Sequence, residues 1–137
     1  MLIQYGVIAT RPAADGSLEV LLITSRETRR WVVPRGNPIP GKSPAESAAQ
    51  EAFEEAGIIG PVGAEPLGRY VYGKRRRNGK VEPAEVELFA MRVAEEREDW
   101  PEKSQRERRW FAPAEAAAAV LEDKLADMIR SLAGAPR

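Results

Sequence analysis

The 137-residue chain contains no cysteine and no histidine, and these two absences restrict its chemistry. Disulfides, zinc sites built on thiolate or imidazole, and catalytic triads with a Cys or His member are excluded. Because histidine is the usual proton carrier near neutral pH, an enzyme made from this chain has to use carboxylates, lysine, tyrosine or a bound metal ion. The absences therefore favour chemistry based on glutamate and hard cations.

Long apolar runs are also absent from the sequence. No stretch approaches the roughly 18 apolar residues of a membrane span, and the N-terminus has no basic leader followed by an apolar segment. A chain of this length normally forms one domain and buries about 70% of its unfolded surface. We therefore predict a single domain over residues 1–137 in a cytoplasmic protein that does not bind membranes.

The net charge is zero because a basic zone and an acidic zone cancel. Residues 66–81 carry six cations and no acid, whereas residues 82–99 carry seven acids and two arginines. Sixteen of the 21 cations are arginine, the side chain best suited to bidentate phosphate contacts. An arginine-rich codon usage explains the count about as well, so the zoning supports an anionic ligand without identifying it.

Hydrophobic patterning predicts strands over residues 3–10, 18–25, 31–34, 67–72, 86–93 and 108–113. The segment 35–44 contains three prolines and two glycines, which predict an ordered loop without regular structure. The Asn78-Gly79 pair predicts a hairpin turn within the basic segment. Helices are predicted over 44–56, 114–121 and 124–132. This order predicts an α/β fold with a mixed β-sheet and helices packed on it.

The clearest helix of the sequence runs from Pro44 to Ala56. Ser43 is placed to cap it, and Pro44 suits its first position. Glu46 completes a capping box with Ser43, and Gly57 is placed to end the helix. The face expected to pack on the core consists of Ala45, Ala48, Ala49, Ala52, Phe53 and Ala56.

Three carboxylates share another face of this helix. Glu51, Glu54 and Glu55 stand at i, i+3 and i+4, within an arc of about 100°. No lysine or arginine on the helix balances them, and like charges at this spacing repel. Mg²⁺ prefers oxygen ligands and is usually bound by one or two carboxylates plus substrate phosphates. A solvated acidic face is the alternative, but the preceding Gly- and Pro-rich loop, which begins at Arg35, favours a site for a metal ion and a phosphate.

The run from Gly36 to Ile58, GNPIPGKSPAESAAQEAFEEAGI, resembles the Nudix box, G-x5-E-x7-R-E-U-x-E-E-x-G-U, in which U is a bulky aliphatic residue. The matching positions are Gly36, Glu51, Glu54, Glu55, Gly57 and Ile58. Three positions depart from the pattern: Lys42 replaces Glu, Gln50 replaces Arg, and the small Ala52 replaces an aliphatic residue. The order of strands and helices is also similar to the α/β/α sandwich of the Nudix family.

This resemblance implies a metal-dependent hydrolase. In the family the box glutamates bind or organise divalent metal ions, and the carbonyl group of the first glycine often joins them. By resemblance, Glu51, Glu54 and Glu55 are catalytic, and the same three residues with Gly36 bind the metal, which is Mg²⁺ or alternatively Mn²⁺. The implied reaction is attack of a metal-activated water on a phosphorus of a diphosphate. Gln50 can replace the family's arginine only as a neutral hydrogen-bond donor.

The general base has to be a carboxylate, because the chain has no histidine. Glu51 is one candidate. Family members often use a carboxylate from a later loop, and the later candidates here are Glu82, Glu85, Glu95, Glu96 and Glu98. The sequence does not choose among them.

Three segments outside the box, WVVPRG, GRYVYGKRRRNGK and WPEKSQRERRWFAPAEA, are similar to the diphosphoinositol polyphosphate phosphohydrolase-like branch of the family. The implied substrates are diphosphoinositol polyphosphates or dinucleoside polyphosphates, which are both highly anionic small molecules. The cations predicted to contact their phosphates are Arg26, Arg35, Lys42, Lys74, Arg75 and Arg76. Ser25 and Arg29 are additional candidates.

Two other functions remain open at this point. A Nudix-fold binding or regulatory module with little catalysis is suggested by the Lys42 and Gln50 departures. The segment KRRRNGK also suits a solvated hairpin tip or a weak nucleic-acid patch, although nucleic acid is the less favoured partner. A homodimer is neither favoured nor excluded.

The aromatic and C-terminal arginine residues have alternative interpretations as well. Trp31, Trp110 and Tyr72 either stack on a nucleobase or belong to the core, and the core is favoured for a tryptophan within a strand. Arg106, Arg108 and Arg109 are expected at the surface or in salt bridges rather than in catalysis.

Overall fold

The structure is a computed structural model that describes residues 1–134. Its elements follow the chain in the order β1 (Leu2–Pro12), β2 (Leu18–Thr24), β3 (Trp31–Val32), β4 (Arg35–Gly36), α1 (Pro44–Ala56), β5 (Ile58–Ile59), β6 (Gly68–Arg75), β7 (Val81–Arg92), β8 (Glu95–Glu96), β9 (Arg108–Phe111), α2 (Pro113–Ala119) and α3 (Asp123–Gly134). The last three residues of the predicted domain, 135–137, lie outside the described part.

A seven-stranded mixed sheet forms the centre of the fold. Its main path has the order β3-β2-β1-β7-β6, with β4 paired to β1 and β9 paired to β2. Strands β1 and β7 are parallel, and the other pairs of this sheet are antiparallel. Strands β5 and β8 form a separate antiparallel pair. The predicted mixed sheet is confirmed.

Helices cover both faces of this sheet. Successive residues of a strand point to opposite faces, so Val7 and Ile8 of β1 enter different cores. The core under α1 includes Val7, Ala9, Leu21, Ile23, Phe89 and Met91. The core under α2 and α3 includes Ile8, Val20, Leu22, Val86, Leu88, Leu125 and Ile129. The resulting three layers confirm the predicted α/β/α sandwich.

Helix α1 begins and ends as the sequence predicts. The Glu46 amide donates to Ser43 Oγ at 3.1 Å, and the Ser43 amide donates to Glu46 Oε1 at 2.8 Å, which completes the capping box. Gly57 ends the helix with a φ of 67°, a conformation that favours glycine. These caps fix the position of α1 over the sheet.

The predicted core face of α1 is confirmed for its alanines and wrong for Phe53. Ala48, Ala52 and Ala56 are fully buried against the sheet. Phe53 belongs to neither core and lines a pocket of about 350 Å³ between α1 and β5. The reason is geometric, because Phe53 is turned about 100° from Ala52 around the helix axis.

The loop after β3 differs from the prediction at its start. Arg35 and Gly36 form the short strand β4, which pairs with Tyr5 and Gly6 of β1. Gly6 permits this pairing because a β-carbon there would lie 2.6 Å from the Pro34 carbonyl oxygen. The first residues of the predicted irregular loop are therefore anchored to the central strand.

The β6–β7 hairpin is longer than predicted. Strand β6 continues to Arg75 and β7 begins at Val81, so Lys74 and Arg75 lie in a strand and the tip contains only residues 76–80. The predicted turn is confirmed, because Gly79 has a φ of 84° and its amide donates to a carbonyl across the tip. Lys74 and Arg75 of the basic zone therefore lie in strand β6 and not in the hairpin tip.

Part of the basic zone is neutralised within the hairpin. Arg69 pairs with Glu85 and Glu87, and Arg76 pairs with Glu82 at 2.8 Å. Opposite charges across neighbouring strands contribute roughly 0.2–1 kcal/mol and help to extend the ladder.

Among residues 1–134, no helix is both long and apolar enough to cross a lipid bilayer.

Candidate active site

A cavity of about 690 Å³ opens between the β2–β3 loop, the end of α1, the β6–β7 hairpin and the α2–α3 junction. Ligand pockets are typically of about 300–1,000 Å³, so the cavity has room for a small molecule. Its cationic lining residues are Arg26, Arg30, Arg35, Lys74, Arg75 and Arg106. The arrangement is suited to a multiply charged anion.

The structure brings together some of the predicted phosphate contacts and separates others. Four of them line the cavity, namely Arg26, Arg35, Lys74 and Arg75. Lys42 instead lines the pocket between α1 and β5, together with Gln50. Arg76 pairs with Glu82 at the surface. Lys42 and Gln50, two of the three departures from the box, therefore do not line the cavity.

Glu55 is held in a fixed orientation at the inner end of the cavity. Its side chain is buried, with the residue 7% exposed. The Arg35 amide donates to Glu55 Oε1 at 3.0 Å, and Arg106 Nη2 donates to Glu55 Oε2 at 3.2 Å. Burial raises the pKa of Glu55 to about 7, although the Arg106 charge and the Arg35 hydrogen bond act in the opposite direction.

Glu51 lies beside Glu55 and is the least constrained carboxylate of α1. Within residues 1–134 the Glu51 side chain makes no ion pair and accepts no side-chain hydrogen bond. Its pKa is raised to about 7, chiefly by burial. Repulsion from Glu54 and Glu102 adds to this shift, and Arg106 and Lys74 partly offset it. A carboxylate with this pKa can accept a proton near neutral pH.

Glu54 is oriented by the residue that replaces the box arginine. Gln50 Nε2 donates to Glu54 Oε2 at 2.8 Å. Gln50 therefore acts as a neutral donor, which is the role that the sequence leaves open to it. No cation of the described residues pairs with Glu54.

Gly36 is in direct contact with the Glu51 carboxylate. A β-carbon at Gly36 would overlap the Glu51 side chain. The absence of a side chain therefore lets β4 and α1 approach each other at the site. This contact places the backbone of the predicted metal-binding glycine next to a predicted metal-binding carboxylate.

The oxygen-rich residues present fit a divalent ion that keeps several waters. Among residues 1–134, no group of three or more Asp, Glu, His or Cys side chains is arranged to hold a metal ion by itself. Mg²⁺ does not need such a cage, because it usually takes one or two carboxylates, waters and substrate phosphates. A cation beside Glu51 and Glu55 would also stabilise their ionised forms and so offset the burial and repulsion that raise their pKa values.

Arg35 is fixed by two tyrosines of β6. Arg35 Nη1 donates to the Tyr70 hydroxyl at 2.8 Å, and its guanidinium lies 3.6 Å from the Tyr72 ring centroid. Tyr72 in turn donates to Gln4 Oε1 at 2.7 Å. Burial raises the pKa of Tyr70 to about 12, so its hydroxyl stays neutral. Arg35 is thus a preorganised cation in the cavity wall.

The aromatic residues considered for base stacking make contacts within the protein. Trp31 packs edge-on against Phe111, with ring centroids 5.0 Å apart. Trp110 Nε1 donates to Glu96 Oε1 at 2.8 Å. Trp31 and Trp110 are both partly buried against the cores, as expected for tryptophans in strands.

The later-loop base candidates do not line the cavity. Ion pairs engage four of them, Glu82 with Arg76, Glu85 with Arg69, Glu95 with Arg97 and Glu96 with Arg11, and Glu98 is exposed. Glu102 was not predicted from the sequence, and it interacts electrostatically with both Glu51 and Glu55. The spacing of Glu102 and Arg106, at i and i+4, is the one local signal of their 2.8 Å ion pair.

Residues 97–108, which we call the capping segment, cover the C-terminal end of α1. The last carbonyls of a helix have no partner within the helix. Here the Glu102 amide donates to the Glu54 carbonyl at 3.0 Å, and the Trp100 indole donates to the Glu55 carbonyl at 3.1 Å. The Arg108 guanidinium donates to the Ala56 carbonyl at 2.9 Å, and the Arg97 amide donates to the Gly57 carbonyl at 2.8 Å. One segment therefore satisfies four consecutive carbonyls next to the site.

Two of the C-terminal arginines have roles more specific than expected. Arg106 forms salt bridges, as expected, but its side chain is only 9% exposed. Arg108 stacks on Trp100 at 4.0 Å. Gly57 leaves room for this pair, because a β-carbon there would lie 2.8 Å from the Trp100 ring.

Comparison with known proteins identifies the class to which this fold and site belong. Residues 4–132 match the NUDIX domain model. The match covers most of the chain, so the chain belongs to the NUDIX domain family. Members of this family generally use divalent metal ions, typically Mg²⁺.

Two curated relatives illustrate the sequence similarity. Nudix hydrolase 12, mitochondrial, from Arabidopsis thaliana is 39% identical over 104 residues, which cover 72% of this chain and 50% of the relative. Diphosphoinositol polyphosphate phosphohydrolase 3-beta from Bos taurus is 35% identical over 101 residues, which cover 72% of this chain and 57% of the relative. The chain thus spans about half the length of the curated relatives it matches.

Two solved structures illustrate the similarity of fold. A C. elegans Ap4A hydrolase binary complex has a TM-score of 0.70 and 19% identity, and the alignment covers 96% of this chain and 95% of that one. The NUDIX domain of Shewanella oneidensis NrtR complexed with ADP ribose has a TM-score of 0.70 and 16% identity, with 96% and 88% covered. At these identities the similarity concerns the fold alone.

Proposed function

We propose that this chain is a divalent-metal-dependent pyrophosphohydrolase that cleaves a phosphoanhydride bond in a polyphosphorylated small molecule. The observation that carries the proposal is the position of Glu51 and Glu55, two carboxylates with pKa values raised to about 7, beside a cation-lined cavity. Carboxylates with shifted pKa values in a cleft are a feature of catalytic sites. Membership of a family with many hydrolases supports the same conclusion.

The residues that would hold the ion are Gly36, through its carbonyl group, and Glu51, Glu54 and Glu55. Mg²⁺ or Mn²⁺ bound there would supply neutralisation of the diphosphate charge and a more acidic water. Glu51 is the proposed proton acceptor among them, because no side chain of the described residues donates to its carboxylate or forms an ion pair with it. Water adds to phosphorus and gives a proton to Glu51, and the anhydride P–O bond breaks to release the leaving phosphate group.

The cavity cations would bind the phosphate groups that do not react. The side chains of Lys74 and Arg75 donate to no protein acceptor within residues 1–134, so their charges are available to a ligand. Arg35 is already oriented by Tyr70 and Tyr72. Arginine and lysine in this arrangement stabilise phosphoryl oxygens electrostatically. Together with Arg26 these residues are the proposed substrate contacts.

The proposed substrates are diphosphoinositol polyphosphates and dinucleoside polyphosphates. The name of the Bos taurus relative supports the first class, and the C. elegans Ap4A hydrolase supports the second. Both are anionic enough to use several cations of the cavity.

A cytoplasmic location stays a prediction, and the matched plant protein is mitochondrial by name.

A substrate panel tests this proposal. The full chain is assayed for phosphate release from both substrate classes with Mg²⁺, with Mn²⁺ and with chelator. We expect metal-dependent multiple turnover, and a loss of at least about 100-fold in kcat for Glu51→Gln. Glu115→Gln is the matched control, because glutamine retains the acceptor that caps the start of α2. Unchanged turnover in a Glu54→Gln plus Glu55→Gln variant would remove the role assigned to the carboxylates.

A binding or regulatory module with little catalysis is the second candidate. The observation that favours it is the departure from the box at Lys42 and Gln50, because α1 carries no arginine and Gln50 provides only one neutral hydrogen bond to the glutamates. This candidate predicts calorimetric binding of the same ligands without turnover. Metal-dependent multiple turnover would exclude it.

A further inference from the structure

The carboxylates of α1 receive a cation from outside their own helix. Helix α1 carries no arginine or lysine. Among the ion pairs of residues 1–134, the one that includes Glu51, Glu54 or Glu55 joins Arg106 to Glu55 at 3.2 Å. Arg106 belongs to the capping segment, which is distant from α1 in sequence. The charge that orients the site is therefore supplied through tertiary structure.

Every nitrogen group of the Arg106 side chain has a protein acceptor. Arg106 Nε donates to Glu102 Oε1 at 2.8 Å, Nη1 donates to the Thr24 carbonyl at 3.2 Å and Nη2 donates to Glu55 Oε2 at 3.2 Å. A guanidinium is a rigid planar fork, so its attachments fix the directions of the groups that they bind. Arg106 thus connects β2, the capping segment and the end of α1 in one plane.

These contacts distinguish Arg106 from the other cations of the cavity. The side chains of Lys74 and Arg75 donate to no protein acceptor within residues 1–134, whereas the Arg106 side chain is 9% exposed and uses its donors within the protein. Arg106 therefore acts on carboxylates rather than on substrate phosphates. Without Arg106, the buried Glu55 and the partly buried Glu102 would lose the counter-charge that they share, and we expect the two carboxylates to turn away from each other.

We propose that Arg106 is a positioning residue, which holds the Glu55 and Glu102 carboxylates in the orientation that the site requires. This inference rests on the proposed function for its kinetic consequence. Its structural consequence is independent of catalysis. Because the Arg35 amide donates to Glu55 Oε1, loss of the Arg106 contact should loosen that hydrogen bond as well.

The test uses Arg106→Gln and Arg106→Lys, with Arg11→Gln as the matched control. Arg11 also bridges two glutamates, Glu19 at 2.9 Å and Glu96 at 2.8 Å, but at the surface and outside the cavity. Removal of Arg11 therefore controls for the loss of an arginine and two ion pairs. Arg106→Lys retains the positive charge. If Arg106→Gln does not fold, the Arg106→Lys variant alone tests the proposal.

Steady-state kinetics measure the first consequence. For Arg106→Gln we expect kcat to fall roughly 30-fold, equivalent to about 2 kcal/mol, with KM changed less than about threefold. Arg106→Lys should lie between Arg106→Gln and the wild type, and Arg11→Gln should stay within about twofold of the wild type. A rise in KM at unchanged kcat would show that Arg106 contacts substrate and would overturn the proposal.

Amide hydrogen exchange measures the second consequence without reference to activity. In Arg106→Gln and Arg106→Lys, the Arg35 amide should exchange several-fold to about tenfold faster, while the core amide of Val86 keeps its protection. Unchanged protection of Arg35 in both variants would overturn the proposal. If the wild-type chain hydrolyses no substrate of the panel, the proposed function fails, and the exchange rates still decide the role of Arg106.

Discussion

The Glu51 carboxylate occupies the space that a β-carbon on Gly36 would fill. This relationship joins strand β4 to helix α1 at the point where the proposed proton acceptor lies. Strand β4 is in turn paired with β1 through Arg35 and Gly6. The position of Glu51 therefore depends on the central sheet as well as on its own helix.

The Gly36 contact predicts a local defect in Gly36→Ala. The new methyl group would displace the Glu51 side chain or separate β4 from α1, so we expect kcat to fall about tenfold or more. Kinetics and thermal unfolding are measured on the same preparation. Gly63→Ala is the control, because the atom nearest to a β-carbon there is 4.0 Å away. Equal kinetics in both variants would contradict the steric explanation.

The raised pKa values of Glu51 and Glu55 predict how metal-free stability depends on pH. Both pKa values rise from 4.5 to about 7, so the folded state binds more protons than the unfolded state between these values. Their contribution to stability is complete below about pH 4.5 and is lost as the pH rises through about 7. With chelator present, we expect the Tm to fall by several degrees from about pH 5 to about pH 8.

Two comparisons make the pH prediction specific. A Glu51→Gln plus Glu55→Gln variant should show a flatter dependence of Tm on pH, because its two site groups no longer titrate. Mg²⁺ or Mn²⁺ should raise the Tm of the wild type more at the higher pH, where the carboxylates are ionised. Identical pH profiles for wild type and variant would show that these glutamates do not titrate as described.

The placement of the cations predicts different kinetic effects inside and outside the cavity. Lys74→Ala removes a charge that lines the cavity and faces Glu51, so we expect KM to rise about tenfold. Lys42→Ala and Arg76→Ala remove charges that lie outside its lining, and we expect KM changes of less than about threefold. Initial rates over a range of substrate concentrations measure all three. A larger effect at Lys42 would place the substrate at the pocket between α1 and β5.

The capping segment predicts a stability role for Trp100. Trp100→Phe keeps an aromatic ring beside Arg108 but leaves the Glu55 carbonyl without its indole donor. We expect the free energy of unfolding to fall by about 1–2 kcal/mol in denaturant titrations. Trp110→Phe is the matched control, because its indole binds an exposed carboxylate and its loss should cost less than about 1 kcal/mol. A reversed order would contradict the capping role.

The sequence predicts the helix that carries the site because its signals are local. The capping box of Ser43 and Glu46, the stop at Gly57 and the face of small alanines all depend on residues within one segment. The sandwich follows from the order of such elements. The same local spacing places Glu51, Glu54 and Glu55 on neighbouring turns, although only the fold shows that Glu55 is buried.

The remaining site features depend on contacts that are distant in sequence. Arg106 and Glu102 reach the site because the capping segment folds back onto the end of α1. No periodicity relates residue 106 to residue 55, so the sequence pattern gives Arg106 only a general expectation of a salt bridge. Phe53, by contrast, was predicted to face the core and does not. A 3.6-residue pattern with a broad apolar arc does not distinguish the centre of the buried face from its edge.

Multiple-turnover phosphate release, measured with and without Mg²⁺ for the wild type and for Glu51→Gln, tests the central claim most directly. We predict turnover of a diphosphoinositol or dinucleoside polyphosphate by the wild type with Mg²⁺, no turnover with chelator, and a loss of at least about 100-fold in Glu51→Gln. Wild-type binding of these ligands without turnover, or full turnover by Glu51→Gln, would contradict it.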